Sequence, residues 1–319
     1  MNRAKEIKDV LLGLNDLPVF LAGHTNPDQD SICSCLALAE FLNNHGKKAY
    51  ALLDDADKDI IAWQNDYSIV SNDVECKDFN FIALDMNEKK RLGKFEQYFD
   101  RAKYSINIDH HQNNQNEADF VYSLPGVSST CEMVYNIIVS AGKNELTKTI
   151  CERLYAGIFN DTNGLTRRLS SQTLSIVQEL INFGIDYMYI NKKTFSERSF
   201  YEFKALAKLV NKIEYDYFHY VVVDRADEDF SMLTHNQLVK KIAEELRKIE
   251  GFDVFVLLIK NGQKIIAKVM SNVSENADKI ASMFGGGGHK REAGFTIENI
   301  SVEEIIQKTK QYLINNSAK

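Results

Sequence analysis

The chain reads as an α/β protein, with an N-terminal doubly wound parallel sheet carrying helices on both faces. A helical connector joins it to a smaller α+β C-terminal domain. Three observations predict this. Over the first 190 residues, short apolar runs alternate with stretches of helical periodicity, the pattern of parallel strand–helix crossovers. After about residue 214 the pattern changes to paired apolar runs around Asn261-Gly262, a strong hairpin signal. At 319 residues, the chain exceeds the comfortable size of one core. The expected division is 1–190, a connector over 191–213, and 214–319.

The elements follow in order. MNRAKEIKDVLLGL predicts an amphipathic helix and not a signal peptide. VFLAG is a strand candidate, and SICSCLALAEFLNNHG predicts a helix ending near Gly46. KAYALL, FIALD (ending at Asp85) and YSINID (ending at Asp109) continue the strand pattern, and residues 129–141 and 146–160 read as helices. The polar stretch from about 184 to 212 holds DYMYINKKTFSERSFYEFKALAKLV, without Pro or Gly, and predicts the connector. YFHYVVVD, a helix from about 235 to 249, the hairpin FDVFVLLIK/QKIIAKVM, a helix from about 276, a glycine loop, a short strand and a final helix complete the second domain.

Composition narrows the function. Hydrophobic residues make up 44% and charged residues 26%, as in ordinary globular proteins. No apolar run approaches the roughly 18 residues of a membrane span. The net charge of −7 argues against attraction to duplex DNA or an anionic membrane. A small phosphorylated substrate stays open, because bound cations would invert the local field. The five cysteines are odd in number and include no CxxC pair, so neither a zinc knuckle nor a disulfide framework is supported. Buried, unbridged thiols suit a reducing, cytoplasmic setting.

Acids and histidines cluster where strands end. His24, Asp28 and Asp30 lie on one loop leaving VFLAG, with Pro27 fixing the turn. Capping offers another use, since Asp30 or Ser31 could cap a helix at 31–45. Asp85 at the end of FIALD, and Asp161 in GIFNDTNG, can each be read as turn residues. Asp109-His110-His111 is harder to assign to packing, because two imidazoles after a carboxylate have little apolar surface to bury. The set suits two divalent cations and hence a metal-dependent phosphoesterase. Farther on, Phe284-Gly285-Gly286-Gly287-Gly288-His289-Lys290-Arg291 could turn successive N–H groups toward one anion, or serve as a linker. His45, His219 and His235 stand apart from these clusters and read as surface or packing residues.

With these strings in hand, the chain resembles the DHH phosphoesterase superfamily. The carrying segments are GHTNPDQDS, ALDMNEKKRLG, NIDHH and GIFNDTNG, with SSTCEMVYNII as the helix after the DHH strand. GGGGHKREAG is similar to the signature of the DHH-associated C-terminal domain. Size and domain content look most like the oligoribonuclease (nanoRNase) and 3′-phosphoadenosine-5′-phosphate (pAp) phosphatase group. The resemblance implies two Mn²⁺ ions, with Mg²⁺ or Co²⁺ as substitutes. One would be held by His24, Asp28 and Asp85; the other by Asp30, Asp85, His110 and Asp161, with Asp85 bridging.

The resemblance further implies a catalytic role for Asp109, orienting His110, and for His111, binding phosphoryl oxygens while a hydroxide between the ions attacks phosphorus. Gly286, Gly287, Gly288, His289, Lys290 and Arg291 would bind the substrate across an interdomain cleft. Expected partners are short single-stranded RNA or a small nucleotide, with a homodimer open. Alternatives are a cyclic di-AMP/pApA phosphodiesterase, a manganese-dependent inorganic pyrophosphatase (the segment NPDQDSI is closer to that group) and a non-catalytic nucleotide sensor.

Overall fold

Strand β1 (Val19–Ala22) is buried along its whole length, without polar alternation. Such a strand needs cover on both faces, as parallel sheets provide. The computed structural model describes residues 2–25, 27–53, 70–111, 114–115, 118–196, 200–227, 246 and 249–316. It falls into two units, Met1–Glu197 and Arg198–Lys319. That division lies inside the stretch expected as a connector.

In the first unit, α1 (Asn2–Leu12) precedes β1, followed by α2 (Gln29–Asn44), β2 (Ala49–Leu52), β3 (Val70–Ser71) and β4 (Asn80–Leu84). A 3₁₀ segment (Lys89–Phe95) leads into α3 (Glu96–Phe99), β5 (Tyr104–Asp109) and β6 (Phe120–Ser123). Next come α4 (Thr130–Ala141), α5 (Lys148–Asp161), α6 (Ser171–Asn182) and α7 (Tyr187–Asn191). The sheet order is β3-β2-β1-β4-β5-β6, and every pairing is parallel. The chain winds outward from β1, returns to β4 and winds the other way. Between β1 and β4 lies the switch point, where doubly wound sheets open a crevice at their carboxyl ends.

Alternate residues divide the core. Val19, Leu21, Ile82, Leu84, Ile106 and Ile108 share a cluster with Ile7 of α1, Leu36 of α2, Ile137 of α4 and Leu154 of α5. Phe20, Ala22, Phe81 and Ala83 share another with Leu92, Phe95 and Phe99 from the 3₁₀ segment and α3. Helical segments therefore cover both faces. β3 and β6 went unforeseen: β3 has only two residues, and β6 is half-buried and lacks the continuous apolar run of β1.

One helix start differs from expectation. α2 begins at Gln29 and its cap is Asp28, not Asp30 or Ser31; the Asp28 side chain accepts from the N–H groups of Asp30 and Ser31. Asp161 likewise is the last residue of α5, so the turn expected there begins one residue later.

The second unit opens with α8 (Phe200–Asn211), β7 (Glu214–Tyr215), β8 (His219–Asp224), β9 (Val254–Asn261) and β10 (Lys264–Ser271). It closes with α9 (Ala277–Ser282), β11 (Gly287–His289), β12 (Glu292–Glu298) and α10 (Val302–Asn316). Its sheet order is β11-β12-β10-β9-β8-β7, with only β8–β9 parallel. The β9–β10 hairpin forms as predicted, with Gly262 at φ +62 in its turn.

The glycine string corrects the sequence reading. Gly287–His289 is a strand of a hairpin with β12, not a loop or linker. A Cβ on Gly288 (φ +147) would lie 2.5 Å from Ala293 Cα, so the close approach of two backbones accounts for a glycine there. The helix expected at 235–249, apart from Leu246 and the turn from Ile249, lies outside the described residues, as does His235. His45 packs at a tilt against Phe41, and His219 stacks on Phe252, both packing roles. Among the described residues no helix is long and apolar enough to cross a membrane.

Candidate metal centre

β1 ends at Ala22, and a Cβ on the next residue, Gly23, would lie 1.8 Å from Ser31 Oγ. Only glycine lets the strand end pass that close to the first turn of α2. The loop between them presents His24, whose Nδ1 donates to the Thr25 carbonyl at 2.9 Å. This contact sets the tautomer and leaves Nε2 3.5 Å from Asp85 Oδ2.

Asp85 follows β4 with φ +58, a left-handed backbone that a non-glycine residue seldom adopts. Its N–H donates to the Ile108 carbonyl at 3.0 Å, which ties it to β5. Thr130 Oγ1 donates to Asp85 Oδ1 at 3.1 Å. The same oxygen lies 3.4 Å from His110 Nε2. One carboxylate thus presents one oxygen to His24 and the other to His110.

His110 is held by the Val127 carbonyl, 3.0 Å from its Nδ1, and its Nε2 is also 3.5 Å from Asp161 Oδ2. The expectation that Asp109 orients His110 is therefore wrong. Asp109 Oδ1 instead accepts from His111 Nδ1 at 2.6 Å. Along an extended chain residues i and i+2 share a side, so Asp109 meets His111 while His110 turns the other way. Asn114 Nδ2 donates to the second Asp109 oxygen at 2.7 Å and to Asn107 Oδ1 at 2.6 Å.

Asp30 is buried at the start of α4, where its two oxygens accept from the N–H groups of Thr130 (2.7 Å) and Cys131 (2.9 Å). The positive end of a helix is a natural seat for a carboxylate. Asp161 Oδ2, besides facing His110, accepts from Arg168 Nη1 at 3.2 Å.

Three overlapping triads result: His24, Asp28 and Asp85; Asp85, His110 and His111; Asp30, His110 and Asp161. In each, one potential ligand atom per residue lies within 4.8 Å of the others. All six residues expected to hold metal fall in these groups.

The proton affinities show the electrostatic character of the place. Burial, together with the carboxylates of Asp85 and Asp161, pushes the Asp30 carboxyl well above its ordinary range. Burial also raises Asp161; His110 opposes this, but Asp28 and Asp85 add to the rise. Burial by itself lowers His110, yet Asp85, Asp30 and Asp161 outweigh it and push the imidazole up to about 10. His24 goes up for the same reason, through Asp85. Burial disfavours charge on Asp85, but hydrogen bonds from His110 and His24 overcome it and hold that carboxyl low. Both imidazoles gain proton affinity against the pull of burial, so the carboxylates give the pocket an excess of negative potential that divalent cations would neutralise. Nitrogen and oxygen donors without a thiolate suit such ions.

The glycine hairpin in the second unit exposes Lys290 and Arg291 at its turn. Arg291 Nε lies 3.0 Å and Lys290 Nζ 3.9 Å from opposite oxygens of Glu275. Sequence reasoning missed Thr130, Asn107, Asn114 and Arg168. Of these, Thr130 alone had a signal, the Ser-Ser-Thr run that starts α4.

Acids and imidazoles gathered at the switch point of a doubly wound sheet, with the two domains matched below, fit one class: hydrolases acting on phosphoester bonds. Within that class the chain belongs to the DHH family. Residues 18–158 match the DHH family N-terminal domain and residues 218–315 match the DHHA1 domain. The chain is similar to the bifunctional oligoribonuclease and PAP phosphatase NrnA of Thermus thermophilus, 24% identical over 293 residues, covering 91% of this chain and 87% of the other. Its fold is similar to that of an exopolyphosphatase-related protein from Bacteroides fragilis (TM-score 0.85, 19% identity, covering 98% and 97% of the two chains). It is also similar to exonuclease RecJ bound to manganese (TM-score 0.57, 12% identity, covering 98% and 94%).

Proposed function

We propose that this protein hydrolyses very short oligoribonucleotides such as pApA, and removes phosphate from 3′-phosphoadenosine-5′-phosphate. One observation carries the reading: Asp85 offers one oxygen to His24 and the other to His110, and so links the first-loop ligands to those of β5 and α5. His24, Asp28 and Asp85 would hold one cation, and Asp30, Asp85, His110 and Asp161 a second, with Mn²⁺ the favoured ion and Mg²⁺ or Co²⁺ substitutes. When bound, two such ions polarise a phosphoryl oxygen and make a water nucleophilic at neutral pH.

The remaining work falls to the chain itself. Asp109 fixes the His111 ring through Nδ1, which leaves Nε2 for the substrate. That bond also commits the nitrogen nearest Asp85, so His111 acts on the phosphoryl oxygens and not as a metal ligand. Its side chain is 33% exposed, which suits a group that meets substrate. In the second unit, Gly286, Gly287, Gly288, His289, Lys290 and Arg291 are proposed to take the terminal nucleotide or its phosphate, with Lys290 and Arg291 released from Glu275.

The test is product release from pApA, pAp, cyclic di-AMP and pyrophosphate with Mn²⁺, against an EDTA control. Turnover of pApA or pAp supports the proposal. Turnover of pyrophosphate alone selects a pyrophosphatase, cleavage of cyclic di-AMP in preference to pApA a cyclic-dinucleotide phosphodiesterase, and binding without turnover a sensor.

A further inference from the structure

The turn after Asp161 is wound unusually tightly. Within six residues Asn163 (φ +50), Gly164 (φ +70), Leu165 (φ +60) and Arg168 (φ +54) all adopt left-handed backbone, and three of them are not glycine. Thr162, fully buried, clamps the winding. Its carbonyl accepts from the N–H groups of Thr166 and Arg167 at 3.0 Å, and its Oγ1 from Leu165 N–H at 3.2 Å. Strained backbone of this kind persists where surrounding contacts over-determine it, and it concentrates at functional sites.

Here the winding carries the Arg168 guanidinium back over seven residues to Asp161 Oδ2, at 3.2 Å. That oxygen also faces His110 Nε2. The arginine and the imidazole therefore meet at an oxygen assigned above to a cation, and repulsion from an ion there would push the guanidinium outward. Arg168 is 55% exposed where Asp161 is 16%, so the released group would sit outward of the ion ligands. Its planar fork of N–H donors matches a phosphate better than an ammonium would.

We propose that Arg168 binds the phosphate next to the scissile one, so that the site selects substrates carrying two phosphates close together over isolated phosphoesters. This rests on the proposed function and adds the substrate feature that the site reads.

The experiment compares pApA with ApA, which lacks only the 5′-phosphate, in wild type, Arg168→Ala and Arg168→Lys. Wild type should prefer pApA in kcat/KM. Arg168→Ala should reduce that preference about 10- to 100-fold, the range of one lost charge-assisted contact, mainly through KM. Arg168→Lys should recover part of it. In parallel, paramagnetic resonance of unbound Mn²⁺ measures ion affinity, which should be unchanged or tighter in Arg168→Ala because a competitor for Asp161 is gone.

A preference retained in Arg168→Ala, an equal loss on both substrates, or Mn²⁺ affinity weakened tenfold or more overturns the clamp and leaves the proposed function standing. Wild-type protein inactive on every phosphoester overturns the function itself.

Discussion

Asp85→Asn separates a bridging carboxylate from an ordinary ligand. Its two oxygens face different imidazoles, His24 at 3.5 Å and His110 at 3.4 Å. The amide is isosteric and can keep the hydrogen bond from Thr130, so the fold should survive while both ion positions lose their shared anion. At Mn²⁺ concentrations one hundred times Kd, each ion that binds only the folded state adds about 2.7 kcal/mol. For a unit of 197 residues this corresponds to roughly 5–11 °C in Tm per ion. Calorimetry of metal-stripped protein, with and without Mn²⁺, should show the shift of two ions in wild type and about half of it in Asp28→Asn or Asp161→Asn. Asp85→Asn should show almost none. If it keeps half the wild-type shift, Asp85 serves one ion only and the bridge is refuted.

Four further outcomes are expected. Asp109→Asn should lower kcat on pApA about 10²–10⁴-fold with little change in KM, since it unfixes the His111 ring; an unchanged kcat and pH profile would remove Asp109 from catalysis. Arg291→Ala should raise KM for pApA far more than for bis-p-nitrophenyl phosphate, and equal effects would dissociate the hairpin turn from substrate. Gly23→Ala forces a Cβ against Ser31 and should cost about 1–3 kcal/mol, read from the urea midpoint; an unshifted midpoint would show that the loop yields. Asp253 Oδ1 accepts from the N–H groups of Asn272, Val273 and Ser274. Burial alone would raise its carboxyl, but hydrogen bonds from the Ser274 side chain, the Ser274 and Val273 N–H groups and the Ser271 hydroxyl outweigh it and hold it below its usual range. A depressed acid stabilises the fold above its unfolded pKa and loses that contribution as pH falls through the folded one. Asp253→Ala should therefore destabilise at neutral pH and converge with wild type in strong acid; a gap constant with pH would contradict this.

What the amino-acid order revealed was whatever sits within a few residues of a strand end. Runs closed by His24, Asp85 and Asp109 marked the carboxyl edge of a parallel sheet, because a buried strand leaves its first acidic or imidazole residue there. Contacts spanning long separations were invisible. Asp30 finds the N–H groups of Thr130 and Cys131 a hundred residues away, and nothing local in SSTCEM announces that partner. The glycine string failed for another reason. Four glycines fit an anion nest and a close-packed hairpin equally well, and only pairing with Ala293 and Gly294 decides between them.

The misassigned partner of Asp109 is instructive because the information was present. In a strand, a residue cannot meet its immediate neighbour on the same face; alternation alone gives Asp109 to His111 and sends His110 toward Asp85 and Asp161. That parity gives the two imidazoles different partners, and under the proposed function different roles. The one tied to a backbone carbonyl is left to face cations. The one tied to a buried carboxylate through Nδ1 keeps Nε2 free of that bond, and under the proposed function Nε2 meets a phosphoryl oxygen. If the two imidazoles exchanged roles, His110→Gln would impair substrate binding and His111→Gln would impair Mn²⁺ binding. The opposite assignment is expected, and calorimetric Mn²⁺ titration of the two variants measures it directly.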